Sequence, residues 1–321
     1  MRRLPVLCTI LILGAGGAGG ATADDYPTHP IRLIVPFAPG GAVDPIARLI
    51  ANPLGERLGK PIVIYDRGGA GGSIGMDEVA KSPADGYTLL LDHSGMTYMP
   101  GLYRTLPFDP VKDFDGIITA VAGFYVLAVN NDLPVKSVAE LIAYAKANPG
   151  KLSYGSAGVG STLHLAGELL KHATGIDIVH VPYKGAAPAA TDLAGGQIPM
   201  MFGPATALLP LAQAGKIRAL AVTSAKRSAL APELPTMTET LPGFEVVGWY
   251  GLAAPAGTPK AVIAKLNGET NGVLQAPGLV AQLRELSYEP IGGTPGEANS
   301  RIKADVARWT KAIHDAGIEP Q

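Results

Sequence analysis

Ile31-Arg32-Leu33-Ile34-Val35 leads through Pro36-Phe37-Ala38-Pro39-Gly40-Gly41-Ala42-Val43 into Asp44-Pro45, after which Ile46, Ala47, Ile50, Leu54 and Leu58 are apolar. An apolar run, a Gly-rich loop and a stripe at helical spacing read as strand, tight loop and amphipathic helix. The unit returns at Leu152-Ser153-Tyr154, the loop 155–161 and the helical pattern 162–173. Further β-branched or leucine runs at 62–65, 87–91, 126–129, 178–181 and 217–222 alternate with helical patterns. That alternation predicts an α/β chain with parallel-rich sheets covered by helices. Two copies of one unit predict two α/β lobes around a central cleft, residues 24–124 plus 250–321 forming one and 125–249 the other. The chain would cross between them near 123–125 and return near 247–252, and its C-terminal helices would complete the first lobe.

Helix boundaries carry their own signals. Asp44-Pro45 and Thr258-Pro259 read as an N-cap followed by proline at N1, and Ser137 with Glu140 and Thr294 with Glu297 read as capping boxes. Gly59, Gly175 and Gly317 follow the last apolar positions of their helices, and Pro53 is expected to bend the first one.

Composition narrows the function. Lys+Arg number 26 against 27 Asp+Glu, a net charge of -1, with no basic run longer than two residues. Such a chain has no electrostatic footprint for nucleic acid. Residues 1–23 begin Met1-Arg2-Arg3, continue through an apolar run and end Ala21-Thr22-Ala23, the pattern of a cleaved secretory signal peptide. The single cysteine, Cys8, lies within it, so residues 24–321 offer no disulfide, thiol nucleophile or thiolate metal site. No later apolar stretch approaches the roughly 20 residues of a membrane span, which predicts an exported, soluble protein.

The two Gly-rich loops are the chemical signal. Glycine lets backbone N–H groups converge on an anion at the positive end of a helix, and each loop leads into such an end. One such loop is an ordinary turn; one in each lobe predicts a carboxylate held by backbone N–H groups and hydroxyls, since neither loop contains Arg or Lys. Competing motifs fail on spacing. Gly155 and Gly160 precede Ser161-Thr162 where a phosphate-binding loop requires lysine. Gly69-Ala70-Gly71-Gly72-Ser73-Ile74-Gly75 places isoleucine where the third glycine of a dinucleotide fingerprint belongs. Ser156 sits in Tyr154-Gly155-Ser156-Ala157-Gly158, with tyrosine where a nucleophile elbow needs glycine. His164 and His172 could share a helix face but lack a carboxylate at metalloprotease spacing, so no metal site or cofactor is expected. Tyr98, Tyr183, Trp249 and Tyr250 are scarce aromatics in or beside loops and crossovers; Tyr98 and Tyr183 could offer hydroxyls to the cleft, and Trp249 suits hinge packing.

Tyr26-Pro27, Val35 to Gly41 with Asp44, Asp85-Gly86-Tyr87-Thr88-Leu89, Tyr154 to His164, Val181-Pro182-Tyr183-Lys184-Gly185, Gly195-Gly196-Gln197 and Pro255-Ala256-Gly257-Thr258-Pro259 together resemble the Bug receptors. These are the periplasmic substrate-binding proteins of tripartite tricarboxylate transporters, and the resemblance spans nearly all of residues 24–321. It implies a type II periplasmic binding protein fold, a Venus flytrap whose lobes close on a small carboxylated ligand. It also implies a monomeric, periplasmic protein of a Gram-negative bacterium that works with the membrane components of such a transporter, or with a sensor kinase. Carried over residue by residue, Phe37, Ala38, Pro39, Gly40, Gly41 and Asp44 would form one ligand loop. Ser156, Ala157, Gly158, Val159, Gly160, Ser161 and His164 would form the opposing one, with Ser94, Tyr98, Tyr183, Phe202 and Gly203 shaping the remainder. The family's acids after Gly-Gly-Gln and Met-Phe are absent at Ile198-Pro199 and Phe202-Gly203, which weakens the case for an ammonium-bearing ligand. An exported hydrolase using Ser156 and His164 is the alternative.

Overall fold

The computed structural model describes residues 25–37, 43–159, 161–183, 185–315 and 317–320. The signal peptide expected over 1–23, the loop residues Ala38 to Gly41, and Gly160 lie outside the described residues. Ten strands form the sheet: β1 (Ile31–Val35), β2 (Ile62–Asp66), β3 (Thr88–His93), β4 (Phe114–Asn130), β5 (Leu152–Ser156), β6 (Ile178–Pro182), β7 (Met200–Pro204), β8 (Ile217–Val222), β9 (Val247–Pro255) and β10 (Tyr288–Pro290). The helices are α1 (Asp44–Leu58), α2 (Ser73–Ala80), α3 (Met99–Leu102), α4 (Val138–Ala147), α5 (Thr162–Thr174), α6 (Ala186–Ala194), α7 (Ala205–Gln213), α8 (Met237–Thr240), α9 (Lys260–Leu274), α10 (Pro277–Glu285) and α11 (Pro295–Asp315).

The sheet runs β2-β1-β3-β9-β4-β7-β5-β6, with β8 and β10 also pairing β4. Every residue of β3 is buried, as a strand covered on both faces requires. Parallel pairing is confined to β1 with β2 and β3, and β5 with β6 and β7. All pairs involving β4 or β9 are antiparallel, so the sheet is mixed rather than parallel-rich. The reason is topological: a chain that leaves one half of the sheet and later returns runs its two crossing strands in opposite directions.

β4 has 17 residues against the usual five or six or so because it serves both halves. Phe114 to Phe124 pair with β9, whereas Tyr125 to Asn130 pair with β7 and β8. The sequence expectation of a strand over 126–129 captures only its far end.

One apolar core packs β1, α1 and the first part of β4 beneath α9 and α10, through Ile46, Leu54, Leu266 and Leu283. Another packs α4 and α5 against β5 and β7. α11 belongs to both sides: Ile302 packs with Trp249 and Met76, while Trp309 and Ile313 pack with Leu163 and Phe202. Its 21 residues make it long enough to bridge them, about 30 Å at 1.5 Å per residue. The Trp249 indole N–H donates to Asp305 Oδ2 at 2.9 Å, which ties β9 to α11.

Two expected caps are displaced by one residue. Val43 occupies the N-cap of α1, leaving Asp44 in the first turn, 3.2 Å from Arg48. Pro259 occupies the N-cap of α9, and Thr258 Oγ1 donates instead to the Pro255 carbonyl at 2.7 Å. Ser137 caps α4, but Glu140 accepts the Lys136 N–H rather than that of Ser137; Thr294 and Glu297 form both bonds of a capping box. α1 runs continuously through Pro53 and ends at Gly59, whose φ of 69° is the left-handed conformation that glycine permits.

Candidate functional site

A cavity of about 490 Å³ opens where the sheet changes partners. Phe37 follows β1, His93 ends β3, and Ser94 and Tyr98 belong to the turn after it; all four line one wall. Ala157, Val159, Ser161 and Thr162, from the loop after β5 and the start of α5, line the opposite wall. Tyr125 of β4 and Tyr250 of β9 lie between them and also line a second cavity of about 320 Å³. Pro45 of α1 and Ala205 and Thr206 of α7 bound that second space.

The walls hold donors without cations. Ser161 caps α5 by accepting the His164 N–H at 3.3 Å, and with Ser161 and Thr162 on the wall the positive end of α5 meets the cavity. His93 Nδ1 accepts the Gly95 N–H at 2.9 Å, while its Nε2 has no partner among the described residues. Burial pulls the His93 imidazole down to about 3, so the ring is neutral at physiological pH. The Tyr98 hydroxyl lies beside Ser94 and Thr162 but in hydrogen-bond geometry with neither, and its ring stands edge-on to Trp309 at 4.7 Å. Burial likewise raises Tyr125 and Tyr250 above the usual phenol range. Among the described lining residues of both cavities the single formal charge is the exposed Glu319.

Of the residues expected at the site, the structure brings together Phe37, Ser94, Tyr98, Ala157, Val159 and Ser161. The others lie elsewhere for identifiable reasons. Ser156 is fully buried at the end of β5, where its hydroxyl accepts the Gly158 N–H at 3.0 Å and meets His180 Nε2 at 2.6 Å, bracing the loop from beneath. Gly158, at φ 122°, accepts the Ser161 hydroxyl on its carbonyl and makes the turn rather than the wall. His164 is buried in α5 and stacks on His180 at 4.1 Å. Tyr183 donates its hydroxyl to Asp192 at 2.7 Å, away from the cavity. Phe202 is a core residue stacked on Phe244. A Cβ at Gly203 would stand 2.7 Å from Leu208, so this glycine admits α7 against the sheet. Asp44 is held by Arg48 in the first turn of α1 and touches neither cavity.

Sequence reasoning missed His93, Thr162, Tyr103 and Tyr125. Only position marks them: His93 ends a buried strand, and Tyr125 stands at the crossover. The expected pairing of Ser156 with His164 does not form. The histidine that Ser156 meets is His180, drawn by burial down to about 4, a weak base beside a buried hydroxyl. No group of three His, Cys, Asp or Glu residues able to hold a metal occurs among the described residues.

A curled mixed α/β sheet with a donor-lined cavity at the crossing strands is the architecture of the periplasmic solute-binding proteins. The profile of the tripartite tricarboxylate transporter family receptor matches residues 46–318, and the chain belongs to that family. It is 38% identical over 322 residues to Protein BugT of Bordetella pertussis, covering 99% of each chain. Among solved structures it is similar to R. palustris Rpa4515 with adipate, at 42% identity and a TM-score of 0.79 over 92% of this chain and 100% of that one. MatC from Rhodopseudomonas palustris, with bound malate, superposes with a TM-score of 0.75 at 30% identity, covering 90% of this chain and 100% of that one.

Proposed function

We propose that this chain is a periplasmic receptor that captures a small carboxylate, mono-, di- or tricarboxylic, and delivers it to the membrane components of a tripartite transporter. One observation carries the reading: the cavity meets the positive end of α5 and several hydroxyls, yet its described lining contains no Lys or Arg. Such a wall solvates an anion with fixed dipoles rather than a counter-charge. The adipate and malate held by Rpa4515 and MatC support the ligand class. Charge-assisted hydrogen bonds of roughly 1.5–3 kcal/mol each would supply micromolar affinity from a handful of donors.

The change of partner in β4 between Phe124 and Tyr125 supports lobes of 24–124 plus 250–321 and 125–249, hinged at β4 and β9. The loop Ala38 to Gly41 and Gly160 belong to the same proposal, since the chain enters and leaves them at Phe37, Val159 and Ser161 on the cavity wall. The receptor works as a monomer and captures its ligand unchanged. A thermal-shift screen of aliphatic and aromatic carboxylates tests this, because a ligand at a hundred times its Kd adds about 2.7 kcal/mol of stability. A carboxylate that raises Tm and is recovered intact supports the reading. A screen without any shift contradicts it.

A further inference from the structure

The carboxylate reading leaves one wall residue with a job undone. His93 is only 7% exposed, and its Nδ1 is committed to accepting the Gly95 N–H. A neutral ring that accepts at Nδ1 carries its proton on Nε2. His93 lines the cavity, and its buried Nε2–H meets no acceptor among the described residues, although buried donors are nearly always matched. Phe37, packed on the ring at 4.7 Å, and the bond to Gly95 hold its direction. Tyr98, 2% exposed, lines the same wall, and its hydroxyl likewise has no hydrogen-bond partner among the described residues.

We propose that His93 selects the ligand by its second end: Nε2–H donates to an oxygen there, with the Tyr98 hydroxyl beside it. The receptor therefore prefers carboxylates whose far end bears oxygen over those that end in hydrocarbon. The inference rests on the carboxylate reading above. The donor is uncharged, so a second carboxylate and a neutral hydroxyl both satisfy it, and the aromatic walls of Phe37, Tyr103, Tyr125 and Tyr250 accept either a chain or a ring.

Two matched series test the proposal by calorimetric titration: hexanoate, 6-hydroxyhexanoate and adipate; benzoate, 4-hydroxybenzoate and terephthalate. Wild type is expected to favour the oxygen-ended members of the series it binds by about tenfold, the scale of one buried hydrogen bond. Whether the hydroxyl or the carboxylate member gains more identifies the second end. His93→Asn keeps an acceptor for the Gly95 N–H but has no donor at the Nε2 position, and His93→Gln restores that reach. The preference ratio is expected to collapse toward one in His93→Asn and to recover in His93→Gln. If His93→Asn weakens every member equally and leaves the ratio intact, His93 is only a cap and the proposal falls. A wild-type chain that binds without preference also overturns it, whereas one that binds no member of either series and is shifted by no carboxylate in the screen overturns the carboxylate reading itself.

Discussion

The Tyr125 ring lies across Gly248: a Cβ at 248 would stand 2.5 Å from the Tyr125 hydroxyl oxygen. Gly248 faces Gly123 across the β4–β9 ladder, and a Cβ at 123 would meet the Tyr288 ring at 2.7 Å. Two facing glycines thus bare the crossing ribbon so that tyrosines can lie on it, and Tyr125 reaches both cavities as a result.

Gly248→Ala is expected to swing the Tyr125 hydroxyl aside, because a phenol tip moves more readily than backbone. Stability should fall by about 1 kcal/mol, the typical cost of a single substitution. Affinity for the carboxylate found by screening should drop severalfold in calorimetric titration. Unchanged affinity would remove Tyr125 from the site.

Stability should peak near pH 6.5. Burial holds His93 near 3 and His180 near 4, below the ordinary 6.5, so below that pH the unfolded chain binds protons that the folded one refuses and stability falls. Asp92 shifts the other way, raised by burial to about 8, with Oδ1 unpartnered among the described residues. Between pH 4 and 6.5 or so its single proton is outweighed by the two histidines; from about 6.5 to 8 it acts alone, and stability falls as pH rises. Asp92→Asn should flatten that alkaline limb in melts across pH 5–9 or so. A wild-type Tm that climbs steadily to pH 8 or so would contradict the buried, protonated carboxyl.

Ser156→Ala removes the hydroxyl that joins Gly158 to His180. Leaving those partners unmet should cost about 1–3 kcal/mol in urea unfolding. An equally stable variant would mean that Ser156 does not brace the loop, and ester turnover by wild type that disappears in the variant would revive the hydrolase reading.

Short strands bounded by breakers were legible, two of them residue for residue: β1 and β8 occupy the predicted 31–35 and 217–222. β7 was not, because its Met200-Met201-Phe202 lacks β-branching and looks like core of any kind. β4 was read short because glycine at 123 divides it into two apolar runs that only the crossover joins. Phe37, Ser94, Ala157 and Ser161 could be found because they follow strand ends, where α/β sheets place their clefts. Tyr125 could not, since nothing local says which face a crossing strand turns to the cavity. His93 stayed hidden because its significance is that Nε2 has no partner among the described residues, a property of the assembled wall alone.

Closure about β4 and β9 should shrink the molecule on binding, because a ligand touched from both walls favours the closed state. Small-angle scattering should show a smaller radius of gyration with saturating ligand. An unchanged value would argue for a rigid pocket, with α11 locking the two sides together.

Fixed dipoles, without a cation, are expected to hold a carboxylate between Ser94 and Thr162. A crystal structure with the tightest carboxylate from the screen tests it most directly. The expected complex has carboxylate oxygens within about 3 Å of backbone N–H groups at the start of α5 and of wall hydroxyls. A ligand seated outside this cavity, or clamped by an arginine, would contradict the account.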